Sequence, residues 1–212
     1  MRKSLLVFGD SNSHGTPPIV TPGEYRRYES EARWPSVAAQ RLGAAWEVSV
    51  QALPGRTTGI EDPVMGAHMN GQIGLRIALG SHGPIDLLAI MLGTNDMKAR
   101  FAPTPEKIAA GIAGLVDLAL SAEYQTRHGG FEVLVICPPR VLEQGPIAGE
   151  FIGATAVSEA LPHVLKAHCA ARGVHFFDAG KVISPSEQDG VHFDPDTHRA
   201  LGENIAEFIA AL

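Results

Sequence analysis

Short apolar runs, each closed by turn residues, alternate along this chain with longer stretches of helical period, and a parallel sheet covered by helices on both faces accommodates that order. Five strands are predicted: Ser4 to Phe8, Trp46 to Gln51, Asp86 to Met91, Glu132 to Cys137 and Val174 to Phe177. The central three are continuously apolar, as strands buried on both faces must be. Helices are predicted over Trp34–Leu42, Ile73–Leu79, Thr104–Ala122, Gly153–Ala171 and Asp196–Leu212. Thr104 as N-cap followed by Pro105 marks the clearest helix start, and Leu201, Ile205, Phe208 and Ile209 form an apolar stripe on the last helix. The expected fold is therefore α/β, a three-layer α/β/α sandwich around a five-stranded parallel sheet. With 212 residues, 45% of them hydrophobic, the chain can bury one good core, so residues 1–212 are read as a single domain. No internal repeat or low-complexity tract interrupts it.

Charge and composition narrow the partners. The net charge is -6, and the basic residues are scattered, so neither a nucleic-acid nor an acidic-membrane surface is expected. No apolar run approaches the roughly 20 residues that span a bilayer. The first run is too short for a signal-peptide core and has no cleavage site after it, which makes a cytoplasmic protein the expectation. Cys137 and Cys169 have no metal-like pairing and are expected to stay reduced. A small neutral molecule is the expected partner, with no cofactor.

Ligands of such sheets bind beyond the carboxyl ends of the strands. After strand one, Gly9-Asp10-Ser11 puts a hydroxyl on a turn, with the Ser11 N–H facing the same space. After strand two, Gly55 lets the backbone approach a ligand and offer its N–H. After strand three, Asn95 in Gly93-Thr94-Asn95-Asp96 can aim an amide at a developing oxyanion. Past strand five, Asp189-Gly190-Val191-His192 spaces an acid three residues before an imidazole, as a carboxylate that orients a general base requires. Each signal alone has an ordinary structural explanation, a turn, a cap or a chance pair. Their order along the chain brings all four to one end of one sheet. The expected catalytic residues are Ser11, Asp189 and His192, with an oxyanion hole of Ser11, Gly55 and Asn95.

These four blocks resemble the SGNH (GDSL-like) hydrolase superfamily, a flavodoxin-like fold whose Ser, Gly, Asn and His are matched by Ser11, Gly55, Asn95 and His192, with Asp189 at the acid. Arg33-Trp34, Gly55-Arg56-Thr57-Thr58, Ile60-Glu61-Asp62-Pro63, Met91-Leu92-Gly93-Thr94-Asn95-Asp96 and Phe177-Asp178-Ala179-Gly180 are similar to the bacterial arylesterase/acyltransferase branch, over nearly the whole chain. That resemblance implies a serine esterase of short acyl esters, with acyl transfer to alcohols or hydrogen peroxide in some members, and assembly into homo-oligomers. The chain departs from the branch at Asn12-Ser13-His14-Gly15, where a Leu-Thr-Trp-Gly type of sequence is usual. A more polar, open acyl site that favours water over other acceptors is the expected consequence. Asn12, Phe151 and Val191 are expected to line the pocket, and the segments 16–31 and 140–152 to flank it.

Other readings stay open at this point. A carbohydrate O-acetyl esterase is the competing substrate class. A flavodoxin-like ligand-binding module and an inactive assembly subunit are the non-enzymatic alternatives, although the first turn lacks a Gly-rich phosphate cradle. Cys137 as a nucleophile gives way to a small buried strand residue. Asp194, Asp196 and His198 open the last helix, where an acid suits the N-terminal dipole better than a metal. His163 and His168 read as surface positions. Arg56 either braces the site or pairs with Asp62, the salt bridge being the default.

Overall fold

The computed structural model describes residues 2–212. Five strands, β1 (Lys3–Gly9), β2 (Trp46–Ala52), β3 (Leu87–Met91), β4 (Glu132–Cys137) and β5 (His175–Asp178), form one parallel sheet in the order β2-β1-β3-β4-β5. The α/β fold and its five parallel strands thus match the sequence expectation, with no strand end shifted by more than one residue.

Side chains divide between the two faces with a period of two. Leu6, Phe8, Leu88, Ile90, Val133 and Val135 join one buried cluster, and Leu5, Val7, Leu87, Ala89, Leu134 and Ile136 join the other. Each fully buried aliphatic side chain contributes about 1.5–3 kcal/mol relative to exposure, so two filled faces specify the register. Between the strands come α1 (Ser11–His14), α2 (Trp34–Leu42), α3 (Gly71–Ser81), α4 (Pro105–Ala119), α5 (Ala122–His128), α6 (Ala154–Arg172) and α7 (Pro195–Ala210). Helices α2 and α7 pack together over the second cluster through Trp34, Leu201, Ile205 and Ile209, whereas α3, α4 and α6 cover the first. None of the helices among the described residues is long and apolar enough to cross a membrane.

Helix α4 starts as its sequence requires, Thr104 Oγ1 accepting the Lys107 N–H at 3.2 Å. It does not run on to Ala122. The chain turns at Leu120-Ser121 and restarts as α5, a helix the sequence reading missed. The Gln125 side chain explains the break: its Nε2 donates to the Ala119 carbonyl at 3.1 Å, satisfying a group a continuous helix would have bonded internally. The amide also reaches Phe131, where its Oε1 accepts the backbone N–H at 3.2 Å.

The strand order reverses direction between β1 and β3, so the crevice beyond their carboxyl ends is where an open α/β sheet can admit a ligand.

Candidate active site

That crevice holds Ser11, Asn95 and His192. Ser11 is the first residue of the single turn α1, capped by Asp10, whose Oδ1 accepts the Asn12 N–H at 3.0 Å. As N1 residue, Ser11 has an N–H with no intrahelical acceptor. Gly9 makes the tight exit from β1 possible, since a Cβ there would lie 2.2 Å from Ser13 Oγ. The loop 186–193 returns the distant end of the chain to the same spot. Asp189, fully buried, accepts from the N–H groups of Val191 at 3.0 Å, His192 at 2.9 Å and Ile19 at 2.7 Å.

His192 Nδ1 lies 2.6 Å from Asp189 Oδ2, and its Nε2 lies 3.1 Å from Ser11 Oγ. Burial pushes the Asp189 pKa up, but the His192 hydrogen bond and charge, together with the N–H groups of His192 and Ile19, outweigh it and hold the carboxyl below its ordinary value. An ionised carboxylate only accepts, so Nδ1 carries the imidazole proton and Nε2 accepts from the serine hydroxyl. Residues 181 apart in sequence therefore share one hydrogen bond.

Gly55 has φ of +89°, and a Cβ there would meet Met65 Cε at 2.4 Å, so only glycine fits this approach to the crevice. Asn95 Nδ2 donates to the Arg56 carbonyl at 3.1 Å and more weakly to Asp10 Oδ2 at 3.4 Å. Ser11, Gly55, Asn95 and His192 all line one cavity of about 380 Å3. Phe151 and Val191 line it too, as expected, and the segments 16–31 and 140–152 contribute Thr16, Ile19, Ile147, Glu150 and Phe151.

Asn12 does not line the cavity. The helical turn carries its side chain into the interior, where Nδ2 donates to the Val191 carbonyl at 3.1 Å and so ties α1 to the histidine loop. His14 is turned away as well, its Nδ1 3.3 Å from Thr16 Oγ1 and its Nε2 3.4 Å from the Tyr25 hydroxyl. The polar stretch 12–14 thus adds no wall to the cavity, whose lining combines the apolar Ile19, Val64, Met65, Ile147, Phe151 and Val191 with the charged Lys98, Arg100 and Glu150.

Arg56 is a brace, and its pairing with Asp62 is not formed. Its Nη1 donates to the carbonyls of Gly9 at 2.9 Å and Gln51 at 2.6 Å, and the guanidinium lies 4.1 Å from the centre of the Phe8 ring. The ends of β1 and β2 are thereby locked together. Asp62 instead accepts from Arg100 Nη2 at 2.7 Å. Cys137 is fully buried and its thiol pKa is pushed up by burial, so it supplies no thiolate. Among the described residues no group of three or more His, Cys, Asp or Glu side chains is placed to hold a metal ion. His198 packs inside, Nδ1 accepting the Trp34 N–H at 3.3 Å. Sequence reasoning missed the Ile19 N–H, which nothing local marks as a partner of Asp189, and the charged residues Lys98, Arg100 and Glu150 on the cavity rim.

Two buried acids behind the site make stability depend on pH. Burial pushes the Asp10 carboxyl up to about 6 against the pull of the Asn12 N–H, His192 and Arg56, and pushes Asp96 up to about 7 against bonds from the Thr58 hydroxyl and N–H. The native state thus keeps protons that the unfolded chain has released above pH 3.8, and both groups lower stability as pH rises from about 4 to 7. His14 and His198, lowered to about 4 chiefly by burial, act in the opposite sense, so the informative quantity is a difference. In Asp96→Asn the amide oxygen can take both Thr58 bonds, and the thermal midpoint of the variant is expected to gain on the parent steadily from pH 4 to pH 7. Calorimetry showing a constant offset across that range would contradict the assignment to Asp96.

A parallel α/β sheet that presents serine, imidazole and carboxylate in line beyond its switch point is the arrangement of a serine hydrolase. The chain belongs to the GDSL-like lipase/acylhydrolase family, whose model matches residues 7–200, within the SGNH hydrolase superfamily. It is similar to a carbohydrate acetylesterase from Sinorhizobium meliloti (38% identity, 99% of both chains, TM-score 0.93). It is equally similar to the aryl esterase of M. smegmatis, with the same identity, coverage and TM-score. A carbohydrate acetylesterase family member from S. meliloti matches at 32% identity over 99% of this chain and 98% of its own, with a TM-score of 0.90. No curated protein matches the chain. The protein is a serine ester hydrolase, and the flavodoxin-like binding module is set aside.

Proposed function

We propose that Ser11 attacks the carbonyl of a small acyl ester while His192 Nε2 takes the hydroxyl proton and Asp189 stabilises the imidazolium. The N–H groups of Ser11 and Gly55 and the Asn95 amide receive the oxyanion, Asn95 turning its weaker hydrogen away from Asp10. His192 then protonates the departing alcohol, leaving an acyl-Ser11. Water activated by the same nitrogen attacks the acyl carbon, releases the acid and returns the proton to Ser11. The observation that carries this reading is the unbroken line from Ser11 Oγ through both nitrogens of His192 to Asp189.

A cavity of about 380 Å3 supports a small substrate, at the low end of ligand-site volumes. Its apolar wall supports short aryl or alkyl esters, and acyl transfer to an alcohol or hydrogen peroxide as a side activity. Assembly into homo-oligomers and residence in the cytoplasm belong to the same proposal. The branch resemblance supports the first, and a monomer by light scattering would remove it.

Asn95→Ala tests the oxyanion assignment. Losing one such donor is expected to lower kcat for p-nitrophenyl acetate by about 10²–10³ with little change in KM. A kcat within a factor of three of the parent would take Asn95 out of the mechanism.

A further inference from the structure

The proposed oxyanion donors come from loops that follow different strands. Gly55 belongs to the loop after β2 and Asn95 to the loop after β3, so the spacing of their donors depends on what holds the two loops together. One tie runs through the donor itself: Asn95 Nδ2 donates to the Arg56 carbonyl at 3.1 Å, so the residue after Gly55 aims the amide. Thr58 makes a second tie behind it. Its N–H lies 3.0 Å from each carboxyl oxygen of Asp96, and its hydroxyl donates to Oδ1 at 2.6 Å. Thr58 and Asp96 are each 1% exposed, and neither lines the cavity that holds Ser11. Helix α4 makes room for the pair with a glycine, since a Cβ at Gly111 would lie 2.0 Å from Thr58 Oγ1.

We propose that Thr58, anchored on Asp96, is a positioning residue that sets the distance between the Gly55 and Asn95 donors of the oxyanion hole. This rests on the esterase reading of the Ser11 site given above. The remaining bonds of the Gly55 loop run elsewhere. The Thr57 N–H donates to the Met69 carbonyl at 3.0 Å, and the Arg56 side chain reaches back to Gly9 and Gln51, so these fasten the loop to β1, β2 and the approach to α3. Its distance from the β3 loop is left to Thr58 and Asn95. Without the Thr58 hydroxyl, the hydrogen bond that aims the Asn95 amide would also have to carry the tie between the loops. A shift of the loop would then move the Gly55 N–H and the Arg56 carbonyl together, disturbing both donors at once. Such donors work by being held in place before the charge develops, and a misplacement of about 1 Å can cost about 10²-fold in rate. A short hydroxyl bond inside the protein is suited to holding that spacing.

The experiment measures kcat and KM for p-nitrophenyl acetate in the parent, Thr58→Val, Thr58→Ser, Asn95→Ala and the double variant Thr58→Val/Asn95→Ala. Thr58→Val keeps the shape and the N–H and removes the hydroxyl. It is expected to lower kcat about tenfold or more with KM changed less than twofold. Thr58→Ser, which restores the hydroxyl, is expected to return kcat to within threefold of the parent. In the Asn95→Ala background one of the two donors is already gone, so Thr58→Val is expected to lower kcat no more than threefold further. A structural role unconnected with the hole would instead cost the same factor in both backgrounds, and that result overturns the proposal. So does a Thr58→Val kcat within twofold of the parent, a loss confined to KM, or a Thr58→Ser protein no better than Thr58→Val. Thr58→Ala, which introduces no clash, carries the same expectations should the valine variant not fold. Asn95→Ala with the parent's kcat would remove the hole and the positioning role together, whereas a full loss in Asn95→Ala with none in Thr58→Val overturns the positioning role alone.

Discussion

Ser11→Ala is expected to abolish hydrolysis of p-nitrophenyl acetate by about 10⁴-fold or more in kcat while leaving the fold intact. The expectation follows from geometry. Ser11 Oγ is the hydroxyl 3.1 Å from the acceptor nitrogen of His192, and it opens onto the cavity. Removing it deletes the acyl-enzyme route, and what survives is water attack assisted by the oxyanion donors alone. Because the one hydrogen bond of the Ser11 side chain goes to His192 and the substitution removes a single oxygen, the thermal midpoint of the variant should stay close to the parent's. Activity within a factor of two of the parent, in protein free of contaminating esterase, would overturn the assignment.

The second large effect is expected at Asp189. In Asp189→Asn one oxygen can still accept the Val191 and His192 N–H groups. The new NH2 group, however, faces the Ile19 N–H and His192 Nδ1, both served now by Oδ2. The imidazole must then put its proton on Nε2 to accept at Nδ1, which removes the base that Ser11 needs. A fall in kcat of roughly 10³–10⁴ is expected. The lost Ile19 bond also loosens the segment 16–31, so the thermal midpoint should fall, unlike that of Ser11→Ala. Near-normal kcat in a folded Asp189→Asn protein would mean that the carboxylate does not set the tautomer.

The strands were legible because β1, β3 and β4 are buried on both faces, which demands unbroken apolar runs such as Leu5 to Phe8 and Leu87 to Met91. The spacing from Asp189 to His192 was legible because a pair three apart can meet within one turn. The helix break after Ala119 was not, since it depends on the Gln125 amide reaching back six residues. Asn12 was misassigned to the cavity because adjacency to Ser11 says nothing of direction, and the turn of α1 points the side chain at Val191 instead. The Asp62–Arg100 pair and the position of Lys98 depend on how three loops fold over the sheet, and no local pattern encodes that.

The central claim is that Ser11 is made nucleophilic by His192, and covalent labelling tests it most directly. Treated with a fluorophosphonate and digested, the protein is expected to carry one phosphonyl group per chain, on the peptide containing Ser11, and His192→Ala should label far more slowly. An intact mass unchanged after prolonged exposure, or a label on a different residue, would contradict the account.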